Sequence, residues 1–251
     1  MKIILIGACG RMGKTVAELA QHRGVEIVCG VDLHPCPMPF PVYTSVAEAP
    51  NNADVVVDFS SPSGLQETLS FCTKNRIPLL LAATGYTEND VATIEQSART
   101  IPIFKTGNLS VGVCLLQLLA KKAAFVLRDF DAEIIEKHHN QKKDAPSGTA
   151  LMLAESVNEG FGNSKREVFG RHGIVGARDK NEIGIHAVRG GTIVGEHEVI
   201  FAGEDEVLTL AHSARSRKVF ATGALQSAAW LTSQRAGLYN MNHLLEGIFG
   251  Y

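Results

Sequence analysis

The chain has 251 residues, of which 45% are hydrophobic, and its formal net charge at pH 7 is -2. This length suffices for one large domain or two modest ones, each with a buried core. The charge and the lack of a long basic run argue against nucleic acid as a partner, because phosphate binding needs a surplus of Lys and Arg on one surface. No segment approaches the length of a membrane span. We therefore expect a soluble cytoplasmic protein with a small-molecule ligand.

The five cysteines are scattered, odd in number and free of any C-x-x-C pair. This pattern predicts reduced thiols, with neither a disulfide framework nor a thiolate zinc site. The apolar run at residues 3–6 is too short for a signal peptide and ends in a glycine turn, so we expect the fold to begin at Met1.

Short apolar runs alternate with helical patterns over the first hundred residues, which is typical of a parallel sheet covered by helices. The predicted strands are residues 2–6, 26–31, 54–59, 79–82 and 103–105, and the predicted helices are 13–22, 62–75 and 88–99. The proline-rich stretch 35–41 cannot supply a ladder of backbone donors and is predicted to be a loop. The pattern predicts a Rossmann-type, doubly wound α/β domain over residues 1–108.

The order of elements changes after Asn108. We predict a helix over 112–126, a strand over 132–136, a second helix from Pro146, and three strands over 184–189, 194–202 and 206–214. Strands without intervening helices indicate antiparallel pairs, so residues 109–217 are predicted to form an α+β domain on a mixed sheet. A last helix, 218–234, and the tail to residue 251 are predicted to pack back onto the N-terminal domain.

A glycine turn joins the first strand to the first helix. It comprises Gly7, Ala8, Cys9, Gly10, Arg11, Met12 and Gly13. A pyrophosphate bound there would lie against free N–H groups at a positive helix end. The G-x-x-G-x-x-G spacing alone is a weak motif, but Asp32 at the end of the second strand can accept hydrogen bonds from the ribose hydroxyls. Together they predict a dinucleotide site rather than a mere tight turn.

Two further loops end strands at the same edge of the sheet. One contains Ala82, Ala83 and Thr84, and the other contains Thr106, Gly107, Asn108 and Leu109. Small residues there would let the nicotinamide half of a dinucleotide approach the backbone, although each loop taken alone is more often just a turn.

The segment 136–150 places two imidazoles and two ammonium groups just before a predicted helix. A histidine and a nearby lysine can pass protons while an unsaturated or imine substrate is reduced. Pro146 suits the first helical position, so the N–H groups of Gly148 and Thr149 can bind a substrate carboxylate, with Lys142 adding charge. The plainer interpretation is a solvated loop. A metal site is disfavoured, because adjacent histidines without a third carboxylate or thiolate are not a standard ligand set.

This segment closely resembles the signature of the 4-hydroxy-tetrahydrodipicolinate reductase family. The resemblance is carried by residues 133–139 (EIIEKHH), Lys142 and residues 144–150 (DAPSGTA). Segments that follow the family's order are 7–13, 83–85, 108–112, 194–197 and 220–224. The resemblance therefore extends over nearly the whole chain.

The resemblance implies a reductase of lysine and diaminopimelate biosynthesis, in which NADH or NADPH reduces the dehydrated form of a cyclic dicarboxylate to tetrahydrodipicolinate. It implies that His138 donates or accepts a proton and that Lys142 is the second proton-handling group. His139, Gly148 and Thr149 would bind the substrate carboxylates.

The same resemblance places the dinucleotide on residues 7–12, with Asp32 on the ribose and the loops 82–84 and 106–109 near the nicotinamide. Leu109 departs from the family, in which many members have phenylalanine. The resemblance also implies a homotetramer built through the second-domain sheet.

Cofactor preference follows from charge at the ribose. Asp32 would accept from a free 2′-hydroxyl and repel a 2′-phosphate, which favours NADH. Arg11 and His34 can offset part of that repulsion. We expect both cofactors to be accepted, with NADH preferred.

Two other functions fit parts of the sequence. One is that of another nicotinamide dehydrogenase with a mixed-sheet second domain. Only the 138–150 segment distinguishes it from the reductase. A regulator that senses NADH would need a DNA-reading helix with a basic face, and the chain offers little room for one.

Overall fold

The structure is a computed structural model that describes residues 1–249. The chain divides into two compact units. The first unit combines Met1–Val111 with the segment from Arg217 onward, and the second is Gly112–Ser216. No helix within residues 1–249 is long and apolar enough to cross a membrane.

The first unit is built on a seven-stranded, wholly parallel sheet with the order β12-β6-β5-β4-β1-β2-β3. Its strands are β1 (Lys2–Ile6), β2 (Glu26–Val31), β3 (Val42–Tyr43), β4 (Val55–Asp58), β5 (Leu79–Leu81), β6 (Pro102–Lys105) and β12 (Gly237–Tyr239). Apart from Lys2 and Asp58 at strand ends, the central strands β1, β4 and β5 consist of buried Ile, Leu and Val, as strands with both faces covered require. The predicted doubly wound parallel sheet is confirmed.

Within residues 1–249, five α-helices belong to this unit: α1 (Arg11–Gln21), α2 (Leu65–Asn75), α3 (Glu88–Ser97), α6 (Lys218–Leu231) and α7 (Met241–Phe249). Helix α3 begins at a capping box, in which the Thr87 hydroxyl accepts from the Asp90 N–H and the Asp90 carboxylate accepts from the Thr87 N–H. Helices α1 and α6 are joined by an ion pair between Glu18 and Lys218, 2.8 Å apart. The predicted loop at 35–41 is confirmed.

The second unit is built on a mixed sheet of five strands with the order β11-β10-β7-β9-β8. Its strands are β7 (Asp131–His138), β8 (Arg166–Phe169), β9 (Glu182–Arg189), β10 (Gly195–Ala202) and β11 (Val207–Ala214), and its helices are α4 (Val111–Val126) and α5 (Gly148–Gly160). β10 is antiparallel to β7 and β11, whereas β9 is parallel to β7 and β8. Apolar side chains of both helices share one core cluster with the sheet.

The predicted helix 218–234 is too long, because α6 ends at Leu231. Three other predictions of local structure are also wrong. Helix α1 begins at Arg11 rather than at residue 13, because Gly10 caps it and Gly13 lies inside it. Pro146 is not the first residue of α5, because Ser147 is the N-cap and its hydroxyl accepts from the Ala150 N–H. The thiols are not all reduced: Cys9 and Cys36 form a disulfide, since the ends of the paired strands β1 and β2 bring these two loops together.

One face of β7 carries a charged network centred on Glu133. Its carboxylate accepts from Arg171 at 2.9 and 3.0 Å and from Arg178 at 2.8 Å, and it contacts His186 Nε2 at 2.7 Å. Partial burial opposes ionisation, but these hydrogen bonds outweigh it and hold the pKa of Glu133 at about 2. Gly184 leaves room for the carboxylate, since a Cβ there would lie 1.9 Å from Glu133 Oε2.

We expect this network to make stability depend on acid pH. The folded-state pKa of Glu133 is below its ordinary 4.5, so its stabilisation is complete above that value and is lost as the pH falls towards 2. The difference in unfolding free energy between the parent and Glu133→Gln should therefore narrow by about 1.4 kcal/mol for each pH unit below 4.5. Urea unfolding from pH 5.5 to 3.5 measures it, and a constant difference would contradict the prediction.

Candidate active site

The glycine turn of the first unit is held close to its neighbouring strands. The N–H groups of Gly7 and Ala8 donate to the Val31 carbonyl at 2.8 and 3.3 Å, and Gly7 has a φ of +76°, which favours glycine. A Cβ on Gly13 would lie 2.2 Å from the Gly7 carbonyl oxygen. Glycine at position 13 therefore lets α1 start directly against the turn.

The start of α1 presents backbone donors. The first intrahelical hydrogen bond runs from the Lys14 N–H to the Gly10 carbonyl, so the N–H groups of Arg11, Met12 and Gly13 precede it. Gly10 caps the helix without a side-chain hydrogen bond. This arrangement suits a pyrophosphate, because the donors and the helix dipole both favour an anion.

Asp32 lies beside this turn. Its Oδ2 accepts from the Cys9 N–H at 2.9 Å and its Oδ1 accepts from the His34 N–H at 3.1 Å. Each carboxylate oxygen can accept a second hydrogen bond, so the ribose hydroxyls of a dinucleotide can still bind. The structure thus brings the predicted acid and the predicted turn together.

The two other predicted cofactor loops also lie at the carboxyl ends of strands. The Ala82 N–H donates to the Asp58 carbonyl at 2.9 Å, and the Thr106 N–H donates to the Leu81 carbonyl at 3.1 Å. The 106–109 loop is held by the Thr106 hydroxyl, which donates to the Asn108 carbonyl at 2.8 Å. Thr84 and Gly107 are exposed, whereas Ala82 and Ala83 are half-buried.

Leu109 differs from the other residues of the 106–109 loop because it is only 4% exposed. Helix α6 approaches it closely, since a Cβ on Gly223 would lie 1.7 Å from the Leu109 carbonyl oxygen. Leu109 can therefore offer a ligand little beyond its backbone.

In the second unit, a fully buried carboxylate, Glu136 on β7, organises the cluster that the sequence singles out. Arg189 on β9 donates to both of its oxygens at 2.7 Å, and the Ser147 N–H donates to Oε1 at 2.9 Å. Burial opposes ionisation, but the hydrogen bonds from Arg189, His138 and Ser147 hold the pKa of Glu136 below its ordinary value. Glu136 is therefore a carboxylate near neutral pH.

His138 Nδ1 lies 2.6 Å from Glu136 Oε2. An ionised carboxylate can only accept, so Nδ1 carries a hydrogen and Nε2 is the nitrogen that gains and loses a proton. Nε2 faces Gly195 on β10, where a Cβ would lie 3.0 Å away. The absence of a side chain at position 195 keeps space beside the reactive nitrogen.

A second imidazole, His197 on β10, packs against the first. The two rings are 5.2 Å apart in an edge-to-face arrangement. Burial and the charge of His138 lower the pKa of His197 to about 4, so His197 is neutral near neutral pH. Its Nε2 lies 2.9 Å, within hydrogen-bond distance, from the Ser147 hydroxyl, which also accepts from the Ala150 N–H. His197 thereby fixes the cap of α5.

The other residues predicted to bind substrate follow Glu136 and His138 closely in the sequence. Lys142 pairs with Asp144 at 2.9 Å and is near enough to His197 for its charge to help lower that histidine's pKa. Gly148 and Thr149 are the first two residues of α5, and their N–H groups precede the first intrahelical bond, from Leu151 to Ser147. A Cβ on Gly148 would meet only open space, so a ligand can approach that helix start.

Sequence reasoning missed the residues that hold His138 in place. Glu136, Arg189, Ser147 and His197 are all polar residues of buried or half-buried strands and caps. The two-residue period of a strand was a usable signal. It places Glu136 and His138 on the same face of β7, and the structure shows that this face is buried. Within residues 1–249, no group of three or more His, Cys, Asp or Glu side chains could hold a metal ion.

Comparison with protein families assigns both halves of the chain. The family model described as dihydrodipicolinate reductase, N-terminus, matches residues 1–109, and the one described as dihydrodipicolinate reductase, C-terminus, matches residues 112–245. The chain belongs to the dihydrodipicolinate reductase family. The resemblance described from the sequence is thereby confirmed, and the chain is an oxidoreductase that uses a nicotinamide dinucleotide.

Individual relatives agree with this family. The 4-hydroxy-tetrahydrodipicolinate reductases of Caldanaerobacter subterraneus subsp. tengcongensis and Clostridium tetani are 49% identical over 247 residues and 44% identical over 248. These matches cover 98% of this chain and 98% and 97% of the two relatives. The solved structure of a dipicolinate-bound dihydrodipicolinate reductase from Paenisporosarcina sp. TG-14 aligns with a TM-score of 0.80 at 25% identity, covering 96% of this chain and 97% of that chain.

Proposed function

We propose that this protein reduces 4-hydroxy-tetrahydrodipicolinate to tetrahydrodipicolinate with NAD(P)H, in the biosynthesis of lysine and diaminopimelate. The main observation behind the proposal is the position of His138: the buried Glu136 carboxylate holds it so that its Nε2 can exchange a proton. The family and the relatives of the chain also bear that reductase name. The family match favours this reaction over that of another nicotinamide dehydrogenase or of a regulator.

The geometry of the first unit suits a dinucleotide cofactor. The start of α1 would hold the pyrophosphate through the N–H groups of Arg11 and Met12, and Asp32 would accept from the ribose. The loops 82–84 and 106–109 would border the nicotinamide, with Leu109 contributing backbone only. When bound, the dinucleotide supplies the hydride. We propose residues 1–108 as the cofactor domain, residues 109–217 as the substrate and assembly domain, and 218–251 as a helix and tail that complete the first.

The chain's own residues bind the substrate and move its proton. Gly148 and Thr149 present the start of α5 to a carboxylate, and His139 and Lys142 add polar and cationic contacts. Adding a hydride to the dehydrated substrate leaves one proton to be supplied. His138 Nε2 carries that proton, because Glu136 retains the hydrogen on Nδ1, and Lys142 is the second proton-handling group.

The test of this function is direct. The purified protein should oxidise NADH, followed by its absorbance, only when aspartate semialdehyde, pyruvate and the preceding synthase are all present. NADH loss that is the same without the synthase would overturn the proposed substrate.

We expect 2,6-pyridinedicarboxylate to inhibit by competing with the substrate and to depend on the Gly148 N–H. Proline is compatible with this first helical position, and the extended backbone of Ser147 (ψ 153°) suits the residue before a proline. Gly148→Pro should therefore fold but lose one donor to a carboxylate, which raises the inhibition constant by roughly tenfold or more. Steady-state inhibition assays measure the change.

Gly148→Ala is the matched control, because it adds a Cβ into open space and keeps the N–H. Its inhibition constant should stay near the parent value. Equal inhibition of Gly148→Pro and Gly148→Ala would place the dicarboxylate elsewhere.

We propose that both nicotinamide cofactors are accepted and that NADH is preferred. The Asp32 carboxylate, which lies beside the turn, would repel a 2′-phosphate, whereas Arg11 and His34 are exposed and screened by salt. Asp32→Ala should shift the ratio of kcat/KM values towards NADPH by about tenfold, the worth of a charge-assisted hydrogen bond. A parent that clearly prefers NADPH, or an unchanged ratio in the variant, would contradict this.

We propose a cytoplasmic homotetramer assembled through the sheet of the second unit. The support from this chain is apolar exposure on that unit: Val207 and Leu208 on the edge strand β11 are 63% and 40% exposed, and Val188 on β9 is 44% exposed. Apolar strand residues at a sheet edge favour a partner that covers them.

A further inference from the structure

A proline-rich loop, residues 33–40, follows β2 and lies beside the glycine turn. Its far end is fixed by the Gly30 N–H, which donates to the Pro41 carbonyl at 2.8 Å. The loop and the turn meet over Gly30, where a Cβ would lie 2.7 Å from Ala8 Cβ and 3.0 Å from the Phe40 ring. The 33–40 loop therefore borders the proposed cofactor site.

The middle of this loop is poor in hydrogen bonds. Three of its residues have no N–H group: Pro35, Pro37 and Pro39. Within residues 1–249, the only hydrogen bond made by the 33–40 loop runs from the His34 N–H to Asp32 Oδ1 at 3.1 Å. The disulfide from Cys36 to Cys9 is what joins the middle of the loop to the glycine turn.

This bridge connects the two segments that hold the Asp32 carboxylate. The Cys9 N–H donates to Oδ2 at 2.9 Å, and His34, two residues before Cys36, donates its N–H to Oδ1. Both oxygens are thus oriented in the disulfide form, and each can still accept from a ribose hydroxyl. A cross-link that holds a loop in its binding conformation raises affinity, because less freedom is lost when the ligand binds.

The cysteines differ in their access to solvent. Cys9 and Cys36 are half-buried, so soluble thiols can reach them. Cys29, Cys72 and Cys114 are free and buried. Burial raises the pKa of Cys29 and of Cys114 to about 11 and raises that of Cys72 as well. Buried, protonated thiols react slowly with disulfides, so exchange with soluble thiols is confined to the bridged pair.

We propose that Cys9 and Cys36 form a redox modification site that sets the affinity for the dinucleotide: the disulfide form binds NADH tightly, and reduction of the bridge weakens binding. The proposal rests on the cofactor placement proposed above. Once the bridge is broken, only the hydrogen bond from His34 ties the middle of the loop to Asp32. The loop then moves more freely, and NADH must order it again on binding.

The reductant is a soluble dithiol. One of its thiolates attacks a sulfur of the bridge, breaks the S–S bond and releases one cysteine thiolate. Its second thiolate attacks the reagent's own sulfur in this mixed disulfide, closes a disulfide within the reagent and releases the other cysteine. The protein gains the two electrons and two protons that the dithiol loses. Excess glutathione disulfide re-forms the bridge and becomes two glutathione thiols.

The experiment measures NADH binding by the whole protein without substrate. The parent is oxidised with glutathione disulfide or reduced with dithiothreitol and freed of reagent, and its thiols are counted by alkylation of the denatured chain and mass spectrometry. We expect three free thiols after oxidation and five after reduction. In a fluorescence titration, reduction should raise the NADH Kd by about tenfold, comparable to losing one charge-assisted hydrogen bond. Reoxidation should restore the lower Kd.

Hydrogen exchange follows the loop itself. In the ligand-free protein, the peptide that covers residues 33–40 should exchange faster after reduction, because the bridge no longer keeps the His34 N–H on Asp32. Exchange that does not change would show that the loop is held without the bridge, and it would overturn the proposal.

Three variants separate this site from other effects. Cys36→Ser should bind NADH as weakly as the reduced parent after either treatment. Cys114→Ala, which removes a buried thiol in α4, should keep the full redox response. Asp32→Ala should bind NADH weakly in both redox states and lose most of the response, because the bridge acts through that carboxylate.

Several results would contradict the proposal. Equal Kd values for the oxidised and reduced parent, tighter binding after reduction, or a full redox response in Asp32→Ala would each overturn it. A parent that binds no NADH in either redox state would overturn the proposed cofactor site and this proposal with it. Tight binding that ignores the redox state would overturn this proposal alone.

Discussion

Replacing His138 by glutamine should lower kcat by about 10² to 10⁴, the usual worth of general acid–base catalysis, while leaving the NADH Kd unchanged. Glutamine approximates the size and polarity of the imidazole but cannot gain and lose a proton near neutral pH. The NADH site is proposed on the first unit, and His138 belongs to the second. Stopped-flow reduction of substrate and fluorescence titration of NADH measure the two quantities separately.

His186→Gln is the matched control for this variant. His186 is also a strand histidine of the second unit and also contacts a carboxylate, but its partner is Glu133 on the opposite face of β7. Its kcat should remain within a few-fold of the parent. If His138→Gln keeps the parent kcat, His138 serves only to fill the space between Glu136 and His197.

Much of the cofactor half could be predicted from the sequence because its signals are local. The apolar runs of β1, β2 and β4 predict buried parallel strands, and the glycines between β1 and α1 predict the turn. Asp32 follows the second of these strands directly. Parallel neighbours end at the same sheet edge, so the proximity of Asp32 to the turn follows from strand order alone.

The three strands absent from the sequence prediction share a position. β3, β12 and β8 each lie at the edge of a sheet. β3 and β12 have two and three residues, and β8 (REVF) is mostly exposed, so none has the apolar alternation that marks a strand. Their pairing depends on a neighbour that is distant in the chain.

The support of His138 was also beyond prediction, for a related reason. Arg189 is 53 residues from Glu136 and meets it only because β9 pairs in parallel with β7. The disulfide between Cys9 and Cys36 likewise joins residues 27 apart that share no recognised motif. Chemistry-bearing residues in one short segment are visible in a sequence, whereas those assembled by strand register are not.

Glu136→Gln should lower kcat by about 10²-fold or more, because it changes which nitrogen of His138 carries hydrogen. In the parent, every group that faces Glu136 is a donor: Arg189 on both oxygens, the Ser147 N–H on Oε1 and His138 on Oε2. A glutamine has one oxygen and one NH₂ group. If the oxygen keeps Ser147 and one Arg189 donor, the NH₂ group faces the other Arg189 donor and His138 Nδ1.

His138 must then accept at Nδ1 and carry its hydrogen on Nε2, so the nitrogen that faces the open space beside Gly195 is protonated and neutral rather than poised to exchange. The same substitution leaves the Arg189 guanidinium without its carboxylate, and losing one partner of a buried pair typically costs about 3 to 5 kcal/mol. The protein should therefore be less stable as well as slower.

The rate effect is separated from the stability effect by assaying well below the unfolding temperature and recording kcat against pH, since a purely structural role would lower kcat equally at every pH. Glu198→Gln removes a carboxylate from a half-exposed pair with Lys137, 2.7 Å apart, and should change stability by no more than about 1 kcal/mol and leave the pH profile of kcat intact. A Glu136→Gln protein with the parent's pH profile would show that the carboxylate supports the fold without directing the proton on His138.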